Sequence, residues 1–135
     1  KGKHTFIFID EIYLLFQHEY SANFLFTLWK RVRKYGAYAS GITQNVDDLL
    51  QSHTARTMLA NSEFIIMLNQ ASTDRVELAK LLNISDLQLS YITNVDAGHG
   101  LIKVGSSLVP FANKFPKNTK LYKLMTTKPG ETLKD

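Results

Sequence analysis

The feature that most constrains the fold is an apolar run that ends in two adjacent carboxylates. Thr5 to Ile9 is continuous in β-branched and aromatic residues, and Asp10-Glu11 follows directly. Because polar residues do not alternate with apolar ones, the run is typical of a strand buried on both faces, as in parallel sheets. Residues 64–68 form a second run of this kind. The pattern predicts an α/β protein in which 64–68 is a central parallel strand.

The segments between and after these runs predict helices and further strands. Apolar residues at helical spacing run from Phe24 to Val32, and Gly36 is placed to end that helix. Tyr122 to Met125 is predicted as a last edge strand or a loose tail. The remaining predicted elements are a small-residue strand at 37–43, helices at 46–51, 54–59 and 73–82, a helix with a capping box at Ser85 and Gln88, and a hairpin around Gly105-Ser106. Together they predict a mainly parallel sheet flanked by helices, with a C-terminal β-hairpin.

The composition excludes several classes of protein. The 135 residues include no Cys, which removes disulfide frameworks, thiolate metal sites and cysteine nucleophiles. Hydrophobic residues make up 44% of the chain, enough for a core. No apolar run approaches the ~20 residues of a membrane span. The four His residues share no ligand spacing. Because the chain does not begin with Met, we expect it to be a piece of a longer protein.

Positive charge is concentrated towards the C-terminal end. The net charge is +4. From Lys103 onward the sequence is rich in lysine, and its only acidic residues are Glu131 and Asp135. We therefore divide the chain into residues 1–113, one α/β unit, and residues 114–135, a basic tail. The tail is either a solvated surface or a contact for nucleic acid or an acidic partner, and the sequence leaves these alternatives open.

Four hydrophobic residues followed by Asp-Glu form the Walker B pattern. A buried strand delivers both carboxylates to the C-terminal edge of the sheet, where α/β proteins bind ligands. Asp10 would hold Mg²⁺ through water, because Mg²⁺ keeps much of its hydration. Glu11 would polarise a water for attack on a γ-phosphate. The same pattern also occurs by chance as a solvated strand end, so this hypothesis depends on the neighbouring motifs.

Two further positions fit phosphate chemistry. Gln44 follows the second predicted strand, where its amide could sense the γ-phosphate or hold the attacking water. Arg33, with Lys34 and Arg31 as second choices, ends the helix before that strand. It is a candidate arginine finger that neutralises the transferring phosphoryl group. Cations at a helix C-terminus also complement the helix dipole, which is the simpler interpretation of this cluster.

The order of these motifs resembles the VirB/TraE-type conjugation ATPases of type IV secretion systems, in the HerA–FtsK branch of RecA-like P-loop NTPases. The resemblance covers Phe6 to about Phe111 and rests on the segments FIFIDE, WKRVRKYG, GITQ and FIIMLNQ. It implies that residues 1–113 are the C-terminal half of a RecA-like ATPase domain. Carried over by position, it implies catalytic roles for Glu11, Arg33 and Gln44, a magnesium role for Asp10, and nucleotide-binding roles for Asp10, Lys34, Gly98 and Gly100.

The same resemblance implies a cytoplasmic motor at the cytoplasmic face of the cell membrane. Such a motor is hexameric when working, and it uses ATP and Mg²⁺ to power pilus assembly or substrate transfer. The expected partners are the other subunits of the ATPase and components of the secretion channel. Nucleic acid remains an open alternative as a partner, and the transported substrate is not indicated by the sequence.

The chain departs from this family in one respect: it has no phosphate-binding loop. The motif G-x-x-x-x-G-K-[ST] is absent, and Gly2-Lys3 is followed by His4 rather than by a helix. We therefore expect the chain alone to bind ATP weakly and not to hydrolyse it, since that loop supplies the main donors for the triphosphate. Two other functions fit the sequence: a DNA translocase of the FtsK/HerA type, and a non-catalytic module that docks a partner through its hairpin and tail.

Overall fold

The computed structural model describes residues 3–70 and 72–131 and arranges them around two sheets. Every helix in these ranges is too short or too polar to cross a membrane. Short 3₁₀ turns span Ile12–Phe16, Val32–Tyr35 and Ser90–Ile92. The strands are β1 (Thr5–Ile9), β2 (Ala37–Gly41), β3 (Phe64–Met67), β4 (His99–Val104) and β5 (Ser107–Ala112). The helices are α1 (Glu19–Arg31), α2 (Val46–Gln51), α3 (His53–Ala60), α4 (Ser72–Leu82), α5 (Asp86–Leu89) and α6 (Lys120–Met125).

The parallel pair β1–β2 supports the candidate site. Its register aligns Ile9 with Gly41. The pairing continues past the strand ends, because Ile42 N–H donates to the Ile9 carbonyl at 2.8 Å and Ile12 N–H donates to the Ile42 carbonyl at 3.0 Å. Parallel strands need a crossover connection, and α1 supplies it. Gly36 ends the crossover connection and has φ 66°, in the left-handed region. The predicted end of the helical segment at Gly36 and the predicted second strand are therefore confirmed.

Strands β3, β4 and β5 form a separate antiparallel sheet in that order. The β4–β5 pair is the predicted hairpin, with Val104 opposite Ser107. Strand β3 pairs antiparallel with β4, with Phe64 opposite Val104. The α/β class and the hairpin are confirmed, but the prediction of 64–68 as a central parallel strand is wrong. An unbroken apolar run says nothing about strand direction, which depends on the connection through α4 and α5. Burial of this run on both faces is also wrong for the described residues, because Phe64 and Ile66 are both 62% exposed.

One face of β1 is open in the described part of the chain. Ile9 joins the hydrophobic cluster around Leu25 of α1. Phe6 and Phe8 point away from that cluster and are 63% and 69% exposed, and Phe6 stacks on Tyr38 of β2 with 5.1 Å between ring centroids. The prediction of burial on both faces is therefore wrong for the described residues. The apolar run shows what the strand can bury, whereas burial also requires a layer packed on each face.

Two hydrophobic clusters stabilise the fold, and α2 contributes to both of them. One cluster underlies the antiparallel sheet and includes Ile92 and Leu101, which are completely buried. The other surrounds Leu25 of α1. Leu50 of α2 belongs to the first cluster, whereas its neighbour Leu49 belongs to the second. Full burial of a leucine contributes roughly 2 kcal/mol, so this short helix is held from two sides.

The segment after β5 carries a short helix rather than a strand. The side chain of Thr119 caps α6 by accepting the N–H of Tyr122 at 3.2 Å. The Tyr122 hydroxyl donates to Glu131, and Lys117 pairs with the same carboxylate at 3.2 Å. The hydrogen bond from Tyr122, together with that from Lys117, lowers the pKa of Glu131, and the pKa of Lys117 is raised by its hydrogen bond to Glu131. The prediction of an edge strand or a loose tail at Tyr122–Met125 is therefore wrong, because these residues form a capped helix.

Candidate active site

The two carboxylates lie where β1 ends and the chain turns sharply. Glu11 has φ 48° and ψ 45°, in the left-handed region that residues with a side chain rarely adopt. Asp10 Oδ1 accepts the N–H of Glu11 at 3.0 Å, and the Glu11 carbonyl accepts the N–H of Leu14 at 3.1 Å. These hydrogen bonds offset a backbone strain of about 1–2 kcal/mol. The turn leaves Asp10 exposed and places Glu11 half-buried beside the end of β2.

Gln44 reaches Glu11 from the exit of the neighbouring strand. Its Nε2 donates to Glu11 Oε1 at 3.3 Å, although the two residues are 33 positions apart in the sequence. The contact follows from the parallel register, because β1 and β2 end side by side and the chain continues two or three residues beyond each end. The structure thus brings together three predicted side chains, those of Asp10, Glu11 and Gln44, at the C-terminal end of the parallel pair.

Sequence reasoning missed the residues that hold Gln44 in place. Thr43 Oγ1 accepts the N–H of Asn45 at 3.1 Å, which tightens the backbone on either side of Gln44. Asn45 then caps α2: its Oδ1 accepts the N–H of Asp48 at 3.3 Å, and its Nδ2 donates to Asp48 Oδ2 at 2.6 Å. An Asn three residues before an acid at a helix start is a capping pattern, so the signal was present in the sequence.

The donor set at this turn suits a magnesium ion held mostly through water. Asp10 Oδ1 is engaged by Glu11 N–H, and Asp10 Oδ2 has no hydrogen-bond partner within residues 3–70 and 72–131. Across the same ranges, no three His, Asp or Glu side chains gather into a metal-binding group. Mg²⁺ keeps several waters and is usually bound through one or two carboxylates plus substrate phosphates. A single available carboxylate oxygen on Asp10 fits that mode of binding.

Arg33 and Lys34 lie at the opposite end of the parallel pair. They belong to the 3₁₀ turn that leads into β2, where the Gly36 carbonyl accepts the N–H of Thr5 at 3.3 Å. Thr5 begins β1, and Asp10 lies five residue steps of about 3.3 Å further on, roughly 16 Å away along the strand. Both basic side chains are exposed. The structure therefore does not bring Arg33 or Lys34 to the carboxylates of their own chain.

The two predicted glycines lie in β4 (Gly100) and in the turn just before it (Gly98), and local packing explains both. Gly98 has φ 88°, and a Cβ there would lie 2.3 Å from the carbonyl oxygen of Asn113. A Cβ on Gly100 would lie 2.3 Å from the carbonyl oxygen of Met67. In the described part of the chain, no hydrogen bond links either glycine to Glu11. Close backbone approach accounts for both positions without a nucleotide.

The fold and the site define part of an α/β protein in which a parallel strand pair presents two carboxylates and a glutamine at its C-terminal end. The family model of the TraG P-loop domain matches residues 1–103. Because this match covers most of the sequence, the chain belongs to that family.

A solved structure supports the same assignment. The structure of VirB4 of Thermoanaerobacter pseudethanolicus matches with a TM-score of 0.78 and 26% sequence identity. The match covers 85% of this chain and 32% of that one, so the chain spans about a third of the VirB4 structure. No curated protein sequence matches the chain. The family and the structural match confirm the resemblance to type IV secretion and conjugation ATPases, and the RecA-like fold class with it.

Proposed function

We propose that the chain is the carboxylate-bearing part of a longer type IV secretion ATPase, which couples Mg²⁺-dependent hydrolysis of ATP to transport. The observation that carries the proposal is the hydrogen bond between Glu11 and Gln44 at the end of the parallel pair. This bond places Glu11, the candidate general base, in direct contact with the side-chain amide of Gln44, the candidate sensor of the γ-phosphate. Family membership and the likeness to VirB4 support ATP as the nucleotide.

Each side chain of the site has one role in this proposal. Asp10 holds Mg²⁺ through water with its available carboxylate oxygen. The metal, when bound, neutralises charge on the β- and γ-phosphates. Glu11 accepts a proton from the attacking water, and Gln44 orients that water against the terminal phosphate. Asp10 and Glu11 lie at a turn held by hydrogen bonds to the backbone, so the backbone that carries both carboxylates is in place before nucleotide arrives.

Titration of the 135-residue chain with Mg²⁺-ATP tests whether this part of the site is sufficient for binding. We expect a Kd of about 1 mM or weaker, because one carboxylate and one amide supply few contacts for a triphosphate. The full-length protein, titrated in the same buffer as the control, is expected to bind at low micromolar concentration. Low micromolar binding by the chain itself would contradict the proposal that its phosphate-binding donors lie elsewhere.

The position of Arg33 supports an oligomeric motor. Arg33 and Lys34 are exposed and lie about one strand length from the carboxylates of their own chain. A guanidinium there can serve as an arginine finger only for a nucleotide bound to a neighbouring subunit. On this proposal, the working form is a homo-oligomer, a hexamer, in which Arg33 stabilises the phosphoryl group across the subunit boundary and Lys34 supports the same contact.

Mixing two inactive full-length variants tests this assignment. Arg33→Ala is expected to reduce ATPase turnover about 10³-fold or more, the usual effect of losing an arginine finger. Adding the Glu11→Gln variant should restore activity in mixed oligomers, because its intact Arg33 completes the site of the Arg33→Ala subunit. Lys30→Ala, which removes an exposed cation from α1, is the control and should remain active. Absence of rescue would mean that Arg33 acts within its own subunit or only structurally.

The proposed setting is the cytoplasmic face of the cell membrane, with the channel components of a type IV secretion system as partners. Lysines between residues 103 and 128 give the C-terminal end its positive charge. Such charge suits an acidic partner surface, and it also suits nucleic acid. Protein, pilin and DNA all remain candidate substrates for the transport.

A further inference from the structure

The Glu11 carboxylate has a single hydrogen-bond partner among the described residues. Its backbone is held by Asp10 Oδ1 and by Leu14 N–H, whereas its carboxylate receives one hydrogen bond within the described residues, from Gln44 Nε2 at 3.3 Å. A glutamate side chain has three freely rotating bonds, so a strained backbone alone does not fix its carboxylate. The Gln44 amide is therefore the group that selects where the Glu11 carboxylate lies.

The Gln44 side chain begins from a backbone that is itself held firmly. The Ile12–Ile42 hydrogen bond at 3.0 Å joins the residue after Glu11 to the chain two residues before Gln44, so the ends of the two strands are tied together at the site. Immediately after Gln44, Asn45 caps α2 through Asp48. Val46, Leu49 and Leu50 of α2 are buried, so the helix start cannot shift without disturbing the core. The Glu11–Gln44 contact thus joins two fixed points of the backbone.

A glutamine amide carries two N–H donors, and the contact with Glu11 uses one of them. The second donor of Gln44 has no partner in residues 3–70 and 72–131, and the side chain is exposed. A terminal phosphate oxygen accepts hydrogen bonds of this kind. One amide can therefore hold the carboxylate and contact the phosphate at the same time, with the attacking water between them.

We propose that Gln44 is the positioning residue for Glu11: its amide holds the carboxylate in the place from which it accepts a proton, and does so before nucleotide binds. This inference rests on the proposed function, because it assumes that Glu11 is the general base. It assigns Gln44 an action through Glu11 in addition to sensing the γ-phosphate. Loss of Gln44 should therefore lower kcat by a much larger factor than it raises KM for ATP.

Turnover of the full-length ATPase gives the first test. Gln44→Ala is expected to reduce kcat about 10- to 100-fold, the effect of losing a hydrogen bond to a charged group. Gln44→Asn should behave similarly, because its shorter side chain does not reach Glu11. In the Glu11→Gln background, Gln44→Ala should cause little further loss, since both changes disable one unit. If the fold-reductions in kcat of the two substitutions instead multiply in the double variant, Gln44 does not act through Glu11, and the positioning role is overturned.

Gln51→Ala is a matched control for this test. Gln51 Nε2 donates to Asp48 Oδ1 at 3.4 Å, so the substitution removes an exposed hydrogen bond between an amide and a carboxylate away from Glu11. Its kcat should equal that of the wild type. If Glu11→Gln itself leaves turnover unchanged, the proposed function fails. This outcome differs from independent reductions in kcat by Glu11→Gln and Gln44→Ala, which contradict only the positioning role of Gln44.

A second readout does not depend on activity. In the 135-residue chain, the side-chain amide of Gln44 can be followed by NMR in the wild type and in Glu11→Ala. We expect its amide protons to shift and to exchange faster with water in the variant, while those of Gln51 stay unchanged. Identical Gln44 signals in both proteins would show that the contact with Glu11 is not formed, and would overturn the inference.

Discussion

Replacement of Glu11 by Gln in the full-length ATPase is expected to reduce kcat about 10²- to 10⁴-fold, the usual contribution of a general base. Gln has the same shape and keeps an oxygen that can accept the Gln44 Nε2 hydrogen bond, but it cannot take a proton from water. Affinity for Mg²⁺-ATP should change little, because Asp10 keeps its available carboxylate oxygen. Steady-state turnover and equilibrium binding of nucleotide, measured on the same preparation, separate these two effects.

Glu63→Gln provides a matched control for this substitution. Glu63 is an exposed residue just before β3; within residues 3–70 and 72–131 its side chain has no hydrogen-bond partner, and its backbone carbonyl accepts the N–H of Gly105 at 3.0 Å. The control should retain wild-type turnover. Turnover that survives Glu11→Gln would remove Glu11 from its proposed role. Loss of nucleotide binding in that variant would instead indicate that Glu11 contacts the nucleotide directly.

Replacement of Gly100 by Ala is expected to destabilise the 135-residue chain by about 3 kcal/mol. The new Cβ would lie 2.3 Å from the Met67 carbonyl oxygen and 2.7 Å from the ring of Phe111. The carbonyl belongs to the β3–β4 ladder and cannot move without breaking strand pairing. Such a loss is a large share of the roughly 5–15 kcal/mol that stabilises a typical domain. Urea unfolding followed by circular dichroism measures it.

Gly36→Ala separates steric clash from backbone strain. Gly36 has φ 66°, and a Cβ there would meet no atom within 4 Å, so this control should lose only about 1 kcal/mol. If Gly100→Ala were as stable as the wild type, packing would not explain this glycine. Weaker nucleotide binding by a stable Gly100→Ala full-length protein would then favour the nucleotide-binding role that the family resemblance implies.

The sequence predicted the elements that depend on local signals. The run ending in Asp10-Glu11 indicated β1, and the capping box at Ser85 and Gln88 is present at the start of α5. The proximity of Glu11 and Gln44 could also be predicted from the sequence, because parallel strands that are followed by polar residues bring those residues to the same edge of the sheet. These inferences needed only periodicity, caps and the geometry of a crossover.

Other features depend on packing that a local pattern does not encode. The run at 64–68 has the same composition as a central parallel strand, yet it pairs antiparallel with β4. The exposure of Phe6 and Phe8 depends on which layer covers the sheet, which no property of β1 determines. The placement of Arg33 could have been inferred: it precedes β2 whereas Asp10 follows β1, so parallel pairing separates them by a strand length.

The division of α2 between the two hydrophobic clusters has a consequence for unfolding. In the described ranges the two sheets share no strand ladder, so each could melt as an independent unit. Leu49 and Leu50 are adjacent, however, and one lies in each cluster. If either cluster loses its order, α2 loses part of its packing, and the other cluster then loses the contacts that α2 provides. We therefore expect the two clusters to unfold in one cooperative transition, and Gln44, which lies just before this six-residue helix, to depend on the integrity of both.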